Sequence, residues 1–395
     1  MNILYINYLF DKTYSSVGAA VHVKEFVKAA QACGLNVKSC DINKFSSEQA
    51  AVQSSVRAWL KKHLSRYLSQ ANALFSNVGY FRREWRLVKQ ESPHALLVRY
   101  NLLNFSAPLI SKLTKIPLVL EVNSPMALEN REFNRNVLSL PFFPEWTERL
   151  NLRLATRVYT VSEALKQYFV QQGIAADKIS VVPNGVNVHE FGPAVSGDNV
   201  RARYHFSDEI VIGFVGSFHY WHGVEYFNDY VHELTKRCEK VRFLFVGNGP
   251  LREELEVKFA RNGLASNVAF AGYVDHADMP RYLAAMDIVV APYPPMAFFY
   301  FSPLKLFEYM AAGKAVVASR VGQIEELVED GVDGFLFEPG DSRAFVEKSI
   351  ELIESPNLRQ QMGKQARDKM CKNYSWRKNA EKVAELVRQS MNGRE

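Results

Sequence analysis

Short apolar runs of four to six residues alternate with longer helical patterns along the whole chain, and this alternation restricts the fold more than any other feature. The runs are rich in β-branched and aromatic residues and are bounded by turn residues, which is typical of buried parallel strands. The predicted strands are Ile3–Ile6, Leu96–Arg99, Leu118–Val122, Val158–Val161, Ile179–Val182, Ile210–Val215, Arg242–Val246, Val268–Ala271, Ile288–Ala291, Ala315–Ala318 and Gly334–Phe337. Strands that alternate with helices predict an α/β fold with doubly wound parallel sheets.

The strands fall into two series, and each series predicts a doubly wound domain of its own. The Gly- and Pro-containing stretch Phe191–Asp198 lies between the last strand of the first series and the first strand of the second. A chain of 395 residues is long enough for two hydrophobic cores. We therefore predict one domain over residues 1–192, a second over 193–375, and a terminal helical segment over 376–395. The predicted helices are His22–Cys33, Glu163–Gln171, Leu251–Asn262, Pro280–Ala285, Leu304–Met310 and the segment from Trp376.

Composition places the chain among ordinary globular proteins and excludes several other classes. Hydrophobic residues make up 48% and charged residues 23% of the chain, which argues against a disordered or fibrous protein. The four cysteines form no CxxC pair, so neither a zinc ribbon nor a disulfide framework is indicated. The apolar start Met1–Ile6 lacks a basic leader and predicts a strand rather than a signal peptide. We expect a cytoplasmic protein that is soluble or peripherally attached to a membrane.

Positive charge is concentrated in the first half of the chain. Lys and Arg outnumber Asp and Glu by 23 to 14 in residues 1–190, whereas acidic residues are in slight excess beyond them. Segment 57–89 holds eight basic residues against Glu84 alone, and its apolar residues recur at helical spacing. Such a helix can rest on an anionic bilayer, or it can pack on the sheet with a solvated basic face. No nucleic-acid-binding motif accompanies it, so we expect no nucleic-acid partner.

The usual phosphate-binding fingerprints are missing, and a different loop takes their place. No GxxxxGK[ST] occurs, and no GxGxxG follows the first strand. The stretch Gly216–Gly223 leaves the first strand of the second series and opens a helix, so its amides and Ser217 can face an anion. His219 and His222 can be structural, or they can add hydrogen bonds and partial positive charge near neutral pH. Gly247 begins a Gly-Asn-Gly turn, which as a lone GxG is a weak phosphate-binding signal and is better explained as a tight strand-to-helix connection.

The stretch Tyr300–Gly313 carries the most informative pattern. Ser302 is predicted to cap a helix whose first turn holds Pro303. Lys305 and Glu308 then lie three residues apart and share a face of that helix. A carboxylate there can accept hydrogen bonds from ribose hydroxyls, and the lysine can offer charge to a diphosphate. The alternative is a salt bridge between the two residues on a solvated helix.

These motifs occur in an order and spacing that resemble the donor-binding domain of the retaining GT-B glycosyltransferases, specifically the large family 4. The segments of the second domain that carry the resemblance are Gly216–Gly223, Gly247–Leu251, Phe270–Val274, Asp287–Pro292, Ser302–Ser319 and Gly322–Gly331. Those of the first domain are Gly18–Val23, Thr160–Glu163 and Val182–Val188. The resemblance therefore covers nearly the whole chain and implies two Rossmann-like domains that face a cleft.

The resemblance implies a role for individual residues. Glu308 matches the second glutamate of the family's E-x7-E motif, which holds the nucleotide ribose. Gly18 matches the glycine-rich loop that approaches the donor diphosphate, and Tyr273 with Val274 falls where the base packs. The remaining matched donor-side positions are Gly216, Gly247, Ser302, Leu304 and Lys305. The family needs no obligatory metal or other cofactor, and its terminal helix crosses back to the first domain.

Three departures from the family pattern concern the donor site and the chemistry. Tyr300 stands where the first glutamate of E-x7-E is expected, which leaves the donor sugar open. Ser217 and His222 replace the arginine and lysine that usually grip the diphosphate, so we expect Lys305 to supply the missing charge. Asn123 replaces a histidine of the cleft, and an amide cannot act as a general base. Glu121 can be such a base, or it can be a buried, salt-bridged strand carboxylate.

The resemblance implies transfer of a sugar, with retention at the anomeric carbon, from a nucleotide diphosphate sugar to a saccharide or lipid-linked saccharide. Synthesis of surface or exported polysaccharides and glycoconjugates is the usual setting of the family. Two alternatives stay open: a nucleotide-sugar epimerase on the same fold, and a non-catalytic partner that binds nucleotide sugars. The departures at Tyr300, Ser217 and Asn123 keep the second alternative in view.

Overall fold

A computed structural model describes residues 1–8, 17–41, 75–133 and 142–392. The contacts divide the chain into two units, one formed by Met1–Pro183 with Asn379–Glu395 and the other by Asn184–Lys378. The division after Pro183 differs from the boundary expected at residue 192. The reason is local pairing, because the N–H of Val186 donates to the carbonyl of Tyr374 at 2.9 Å and so ties this segment to the second unit.

The first unit is built on a parallel sheet of six strands in the order β2-β1-β3-β4-β5-β6. The strands are β1 (Asn2–Asn7), β2 (Asn36–Asp41), β3 (Ala95–Arg99), β4 (Leu118–Val122), β5 (Arg157–Thr160) and β6 (Ile179–Val181). Its helices are α1 (Val17–Ala32), α2 (75–91), α3 (Ser106–Thr114), α4 (Met126–Phe133), α5 (Phe142–Leu154), α6 (Glu163–Gln171) and, from Asn379 onward, α15 (Trp376–Asn392). The central strands β3 and β4 are almost fully buried, as their continuous apolar runs predict.

Strand β2 was not predicted from the sequence. Its sequence NVKSCD has a single fully buried side chain, Val37, so it lacks the apolar run that marks the other strands. Among the described strands, β2 lies at the sheet edge and pairs with β1 alone. It is held by the register of its backbone hydrogen bonds, which no composition signal reports.

The second unit has its own parallel sheet of six strands in the order β12-β11-β10-β7-β8-β9. The strands are β7 (Ile210–Val215), β8 (Val241–Val246), β9 (Val268–Gly272), β10 (Ile288–Ala291), β11 (Ala315–Ser319) and β12 (Phe335–Phe337). Its helices are α7 (Asp198–Arg203), α8 (Phe227–Arg237), α9 (Arg252–Arg261), α10 (Met279–Ala285), α11 (Leu304–Ala311), α12 (Gln323–Leu327), α13 (Ser342–Glu354) and α14 (Pro356–Asn373). Short 3-10 turns are Tyr220–His222, Val224–Tyr226 and Ala265–Asn267 in this unit and Ala176–Lys178 in the first. The predicted α/β class with two doubly wound sheets is confirmed.

Helix α11 is fastened to the centre of the second sheet. Its residues Leu306 and Phe307 and the ring of Tyr309 are fully buried in the core on one face of that sheet. The hydroxyl of Tyr309 accepts a hydrogen bond from the N–H of Val215, the last residue of β7, at 2.7 Å. The carboxyl end of β7 and the start of α11 are therefore held together, and that edge of a parallel sheet is where doubly wound folds bind ligands.

Two further features of the described residues bear on what the protein can do. None of the described helices has the length and the apolar character that crossing a bilayer requires. Within the same ranges, His, Cys, Asp and Glu side chains nowhere gather into a group of three that could hold a metal ion.

Candidate functional site

The start of α11 is organised differently from the sequence prediction. Ser302 was expected to cap the helix, but the cap position belongs to Pro303, and no side chain bonds to the first helical amides there. The hydroxyl of Ser302 instead accepts a hydrogen bond from the N–H of Asn184 at 3.0 Å. The Asn184 side chain in turn donates to the Ser302 carbonyl at 2.6 Å. The prediction of a serine cap is therefore wrong, because the Ser302 hydroxyl is hydrogen-bonded to Asn184, a residue 118 positions earlier in the chain.

Glu308 is buried, with 8% of its surface exposed, and its partner is a histidine. The imidazole Nε2 of His276 lies 2.7 Å from Oε1 of Glu308. The surface salt bridge with Lys305, which was the alternative interpretation, is not formed. Glu308 therefore stands as an oriented carboxylate on the inner side of α11.

Lys305 lies one turn earlier, and its ammonium group is buried without an acceptor. Its Nζ has no hydrogen-bond partner among the described residues. Two aromatic rings stand close to Nζ, Phe214 at 4.4 Å and Tyr293 at 5.3 Å from the ring centres. Burial lowers the pKa of Lys305 to about 7. An amine in this environment is short of an anionic partner.

The Gly216–Gly223 loop closes over this lysine. A Cβ on Gly216 would stand 2.7 Å from Nζ of Lys305. Gly247 follows the neighbouring strand with φ at +129°, and a Cβ there would stand 2.0 Å from the Gly216 carbonyl oxygen. Gly247 therefore needs glycine for close backbone approach, which holds the ends of β7 and β8 together, and Gly216 lies beside Lys305.

His222 does not carry the partial positive charge that was one of the two roles left open for it. Burial, together with the nearby Lys305 charge, lowers the pKa of His222 to about 3, so its imidazole is neutral at physiological pH. The ring Nδ1 lies 2.7 Å from the Ser217 carbonyl oxygen and 3.2 Å from the Ser217 hydroxyl. Burial also lowers the pKa of His219, whose ring stacks on Trp221 at 4.1 Å between centres. The loop is therefore uncharged and aromatic.

The remaining predicted donor-side residues take different positions in the second unit. Tyr273 follows β9 and is 62% exposed, so its ring is available to a planar ligand. Val274 is partly buried and packs against the core. Tyr300 is buried, and its ring contacts Phe298 and Phe301. Leu304 is the first residue of α11 and is partly buried.

In the first unit, Glu121 lies at the centre of a buried polar cluster. Its Oε2 accepts hydrogen bonds from the hydroxyls of Tyr5 at 2.6 Å and Tyr159 at 2.8 Å. Its Oε1 lies 2.9 Å from Nη1 of Arg99 and 3.1 Å from Nε2 of His22. These residues come from β1, β3, β5 and α1, so the cluster ties four elements to β4.

The cluster determines what Glu121 and Asn123 can do. The neighbouring His22 and Arg99, with the hydroxyl of Tyr5, hold the pKa of Glu121 well below its usual range despite its complete burial. A carboxylate so stabilised is a weak general base, so the contacts support the buried ion-pair interpretation. Asn123 donates its amide Nδ2 to Oε1 of Glu121 at 2.5 Å. Its Oδ1 is buried with no partner among the described residues.

The other first-unit predictions are covered only in part. Gly18 lies exposed in the first turn of α1. Residues 57–74 of the basic segment lie outside the described residues. Helix α2 covers the remainder, and it buries Glu84 and Val88 while Phe75 and Val78 are 73% and 53% exposed.

Several residues of these sites had escaped the sequence analysis. His276, His22 and Arg99 were not predicted, although each touches a predicted glutamate. His22 belongs to the matched segment Gly18–Val23, which was a usable signal. His276 and Arg99 carry none, because their partners are 32 and 22 residues away in sequence.

Comparison with known families agrees with this arrangement. Residues 209–355 match the family described as "Glycosyl transferases group 1", and residues 17–190 match "Glycosyltransferase Family 4". The chain belongs to these GT-B glycosyltransferases. The resemblance stated from the motifs is thereby confirmed.

Individual relatives are distant. The chain is 24% identical to an alpha-D-kanosaminyltransferase of Streptomyces kanamyceticus over 71% of its length and 72% of the relative's. It is 23% identical to a UDP-Gal:alpha-D-GlcNAc-diphosphoundecaprenol alpha-1,3-galactosyltransferase of Escherichia coli over 88% of both. Among solved structures, Anabaena HepE in complex with UDP matches with a TM-score of 0.70 and 20% identity, covering 98% of this chain and 100% of that one. This last likeness shows the GT-B fold.

Proposed function

We propose that this glycosyltransferase moves a sugar from a nucleotide diphosphate sugar to a saccharide or lipid-linked saccharide acceptor, with retention at the anomeric carbon. Its setting is the cytoplasmic side of surface or exported polysaccharide and glycoconjugate synthesis. Transfer proceeds without a bound metal or other cofactor, because Lys305 supplies the positive charge at the diphosphate.

One observation carries the donor part of this proposal. Nζ of Lys305 is buried without an acceptor, next to the Gly216–Gly223 loop and one helical turn from Glu308. A buried cation without a counter-charge is unfavourable, so the site is completed by an anion. A diphosphate at Lys305 with its ribose at Glu308 satisfies both groups at once.

For this reaction the protein mainly has to position the two substrates and to stabilise the charge on the leaving diphosphate. In the same-face mechanism proposed for retaining transfer, the departing phosphate oxygen takes the proton of the acceptor hydroxyl. Lys305 stabilises the charge that grows on the leaving diphosphate, and a protonated amine does so best in a site that excludes water. Glu121 is not required as a base in this scheme, which agrees with its depressed pKa.

Asn123 is the first-unit residue suited to contact a sugar. The side-chain Nδ2 of Asn123 donates to Glu121, whereas the acceptor Oδ1 has no partner among the described residues. An unsatisfied buried carbonyl oxygen favours a hydroxyl donor. We therefore assign Asn123 to a hydrogen bond from a substrate hydroxyl.

The relatives support the substrate classes. HepE has been solved with UDP and with UDP-glucose, which favours a uridine nucleotide as the first donor to try. The name of the Escherichia coli relative includes a diphosphoundecaprenol-linked saccharide acceptor. The exposed ring of Tyr273 is suited to stack on the base of a nucleotide. The exposed apolar side chains of α2 are suited to contact the lipid of a lipid-linked acceptor.

The first experiment is turnover. Purified protein is incubated with UDP-, GDP-, ADP- and dTDP-sugars and with mixed lipid-linked and free saccharide acceptors, and the released nucleoside diphosphate is measured. We expect acceptor-dependent release from one donor, a product of retained anomeric configuration, unchanged rates in EDTA, and loss of donor binding in Glu308→Ala. Nucleotide binding without release from any donor would contradict the transferase and favour the non-catalytic binding partner, whereas a rearranged sugar without an acceptor would indicate an epimerase.

Membrane contact through segment 57–89 is part of the proposal. Helix α2 presents Arg82, Arg86 and Lys89 to solvent, and the exposed Phe75 and Val78 lie at its other end. Basic and apolar side chains on one exposed surface are suited to an anionic bilayer. The acceptor of such an enzyme is then met at the membrane surface.

Liposome binding tests the membrane contact. We expect the protein to sediment with phosphatidylcholine vesicles that contain phosphatidylglycerol and not with phosphatidylcholine alone. Since each basic residue near an anionic surface contributes about 1 kcal/mol, replacing Arg82, Arg86 and Lys89 by Gln should weaken binding about a hundredfold. The control replaces three exposed basic residues of the second unit, Lys236, Arg237 and Lys364. Equal binding by both triple variants, or equally poor binding to both vesicles, would rule out this surface.

A further inference from the structure

His276 reaches the carboxylate to which the proposed function assigns the nucleotide ribose. It belongs to the turn between β9 and α10, and its Nε2 lies 2.7 Å from Oε1 of Glu308. The side chain of Glu308 is 10% exposed and that of His276 is 25% exposed, so water competes little for this bond. Because a carboxylate accepts only, the imidazole donates through Nε2.

A second layer of residues holds His276 in place. The ring of Phe191 packs against the His276 ring at 5.5 Å between centres. Phe191 is 1% exposed, and its N–H donates to the carbonyl of Asn187 at 3.0 Å. The guanidinium of Arg367 donates to the Phe191 carbonyl at 2.7 Å and also to the carbonyl of Ala311, the last residue of α11. The ring that supports His276 is thus fastened to the helix that carries Glu308.

The same segment also secures the other end of α11. Asn184 bonds to Ser302 through both its backbone N–H and its side-chain amide. The segment from Asn184 to Phe191 therefore contacts α11 ahead of its first turn and, through Arg367, at its last residue. This gives a structural role to the motif Val182–Val188, which the donor site itself does not use.

From this arrangement we infer that His276 is a positioning residue for Glu308 and thereby sets the discrimination between ribose and deoxyribose in the bound nucleotide. The inference rests on the proposed function. One lone pair of Oε1 is taken by the imidazole, and the carboxylate plane is fixed by that bond. The remaining lone pairs then point in set directions, in which they can accept the 2′- and 3′-hydroxyls of a ribose.

The alternative is that His276 only fills space beside Phe191. A space-filling residue would affect stability and the binding of every ligand alike. A positioning residue changes the recognition of the ribose hydroxyls in particular. The ratio of two dissociation constants separates these cases, because effects common to both ligands cancel.

Titration calorimetry supplies that ratio. The tightest binder among UDP, GDP and ADP is compared with its own 2′-deoxy form. In the wild type we expect the deoxy form to bind about tenfold more weakly, since a hydrogen bond to a charged group is lost. In His276→Ala the ratio should fall to about two- to threefold, and His276→Gln, which keeps an N–H donor, should restore part of it. The control is His232→Ala on the exposed face of α8, which should leave the wild-type ratio.

The outcomes separate the two claims. A wild-type preference for ribose that persists in both His276 variants would overturn the positioning role and leave the proposed function standing. Failure of all three nucleotides to bind the wild type would overturn the proposed function and this inference with it. Should His276→Ala not fold, His276→Phe takes its place, because it keeps a ring beside Phe191 and has no donor for Glu308. A ratio that stays at the wild-type value in His276→Phe overturns the inference, and a fall to about two- to threefold supports it.

Discussion

Replacing Lys305 by Met is expected to weaken binding of a nucleoside diphosphate by ten- to a hundredfold while binding of the free nucleoside stays unchanged. Hydrogen bonds to a charged group contribute about 1.5–3 kcal/mol, and the Lys305 ammonium has no acceptor of its own in the described residues. Methionine keeps the length and apolar stem of the side chain. The measurement is titration calorimetry of the wild type and Lys305→Met with UDP and with uridine.

The same lysine predicts a pH dependence with a definite sign. Burial lowers the pKa of Lys305 to about 7, so the free protein loses this positive charge as the pH rises above neutrality. A bound diphosphate favours the charged amine, and binding therefore takes up a proton at higher pH. Between pH 7 and 9 the affinity should fall, by up to about tenfold for each pH unit. The neutral His222, with its pKa near 3, does not titrate in this range.

A second buried lysine provides the control. Burial lowers the pKa of Lys314 to about 8, but its Nζ donates to the carbonyls of Ala284 and Met286 at 3.0 and 2.6 Å. Lys314→Met should lower stability without changing the preference for the diphosphate over the nucleoside. An affinity for UDP that stays constant from pH 7 to 9 in the wild type, or an equal loss of preference in both lysine variants, would remove Lys305 from the donor site.

The strands were predictable because burial in a parallel sheet leaves a local mark. The runs at Ile210–Val215 and Leu118–Val122 became β7 and β4 with the predicted bounds. Strand β2 has no apolar run, because only one of its side chains is fully buried. It is held in the sheet by its pairing with β1. A local pattern records the surroundings of a segment and does not record its hydrogen-bonding neighbour.

The sequence indicated which donor-side residues matter, but not their protonation states or their hydrogen-bond partners. Lys305 and Glu308 were singled out from their spacing on one helix, and the structure places both at the start of α11, with Glu308 buried and Lys305 buried at Nζ. The cap at Ser302 was predicted wrongly and the charge of His222 was left open, because both depend on distant groups. Lys305 and burial keep His222 neutral, and Asn184 occupies the Ser302 hydroxyl.

The role of Glu121 in the first-unit cluster also depends on residues that are distant in sequence. From sequence, Glu121 was equally a general base and a buried ion pair. The choice depends on His22 and Arg99, which come from different elements and lie far from Glu121 in sequence. Protonation state follows from such neighbours and from burial, so it becomes readable only with coordinates.

Two buried glutamates of the first unit should respond to the same substitution in opposite ways. Glu121→Gln removes the counter-charge of the buried Arg99 and should lower the free energy of unfolding by about 3–5 kcal/mol. Within the described residues, Glu84 forms no ion pair. Its Oε1 accepts from the hydroxyls of Tyr8 at 2.5 Å and Ser106 at 2.8 Å, whereas Oε2 has no partner among the described residues.

The pH dependence of the two variants follows from the direction of each pKa change. Burial raises the pKa of Glu84 from 4.5 to about 7, so its favourable contribution is complete below pH 4.5 and is lost as the pH rises through 7. Glu84→Gln should therefore match the wild type near pH 5 and exceed it by about 3 kcal/mol at pH 8. The pKa of Glu121 lies well below its usual range, so its contribution is present above pH 4.5 and is lost only in acid.

Urea unfolding of the wild type and both variants at pH 5 and pH 8 checks this pair of expectations. Glu121→Gln should be destabilised equally at the two pH values, because the carboxylate is ionised at both. Glu84→Gln should gain on the wild type only at the higher pH, because only there does the native protein hold an unpaired buried charge. A stabilising Glu121→Gln would mean that the carboxylate is not paired as described, and it would return Glu121 to consideration as a titrating base; a Glu84→Gln difference that does not depend on pH would show that Glu84 ionises normally in the folded chain.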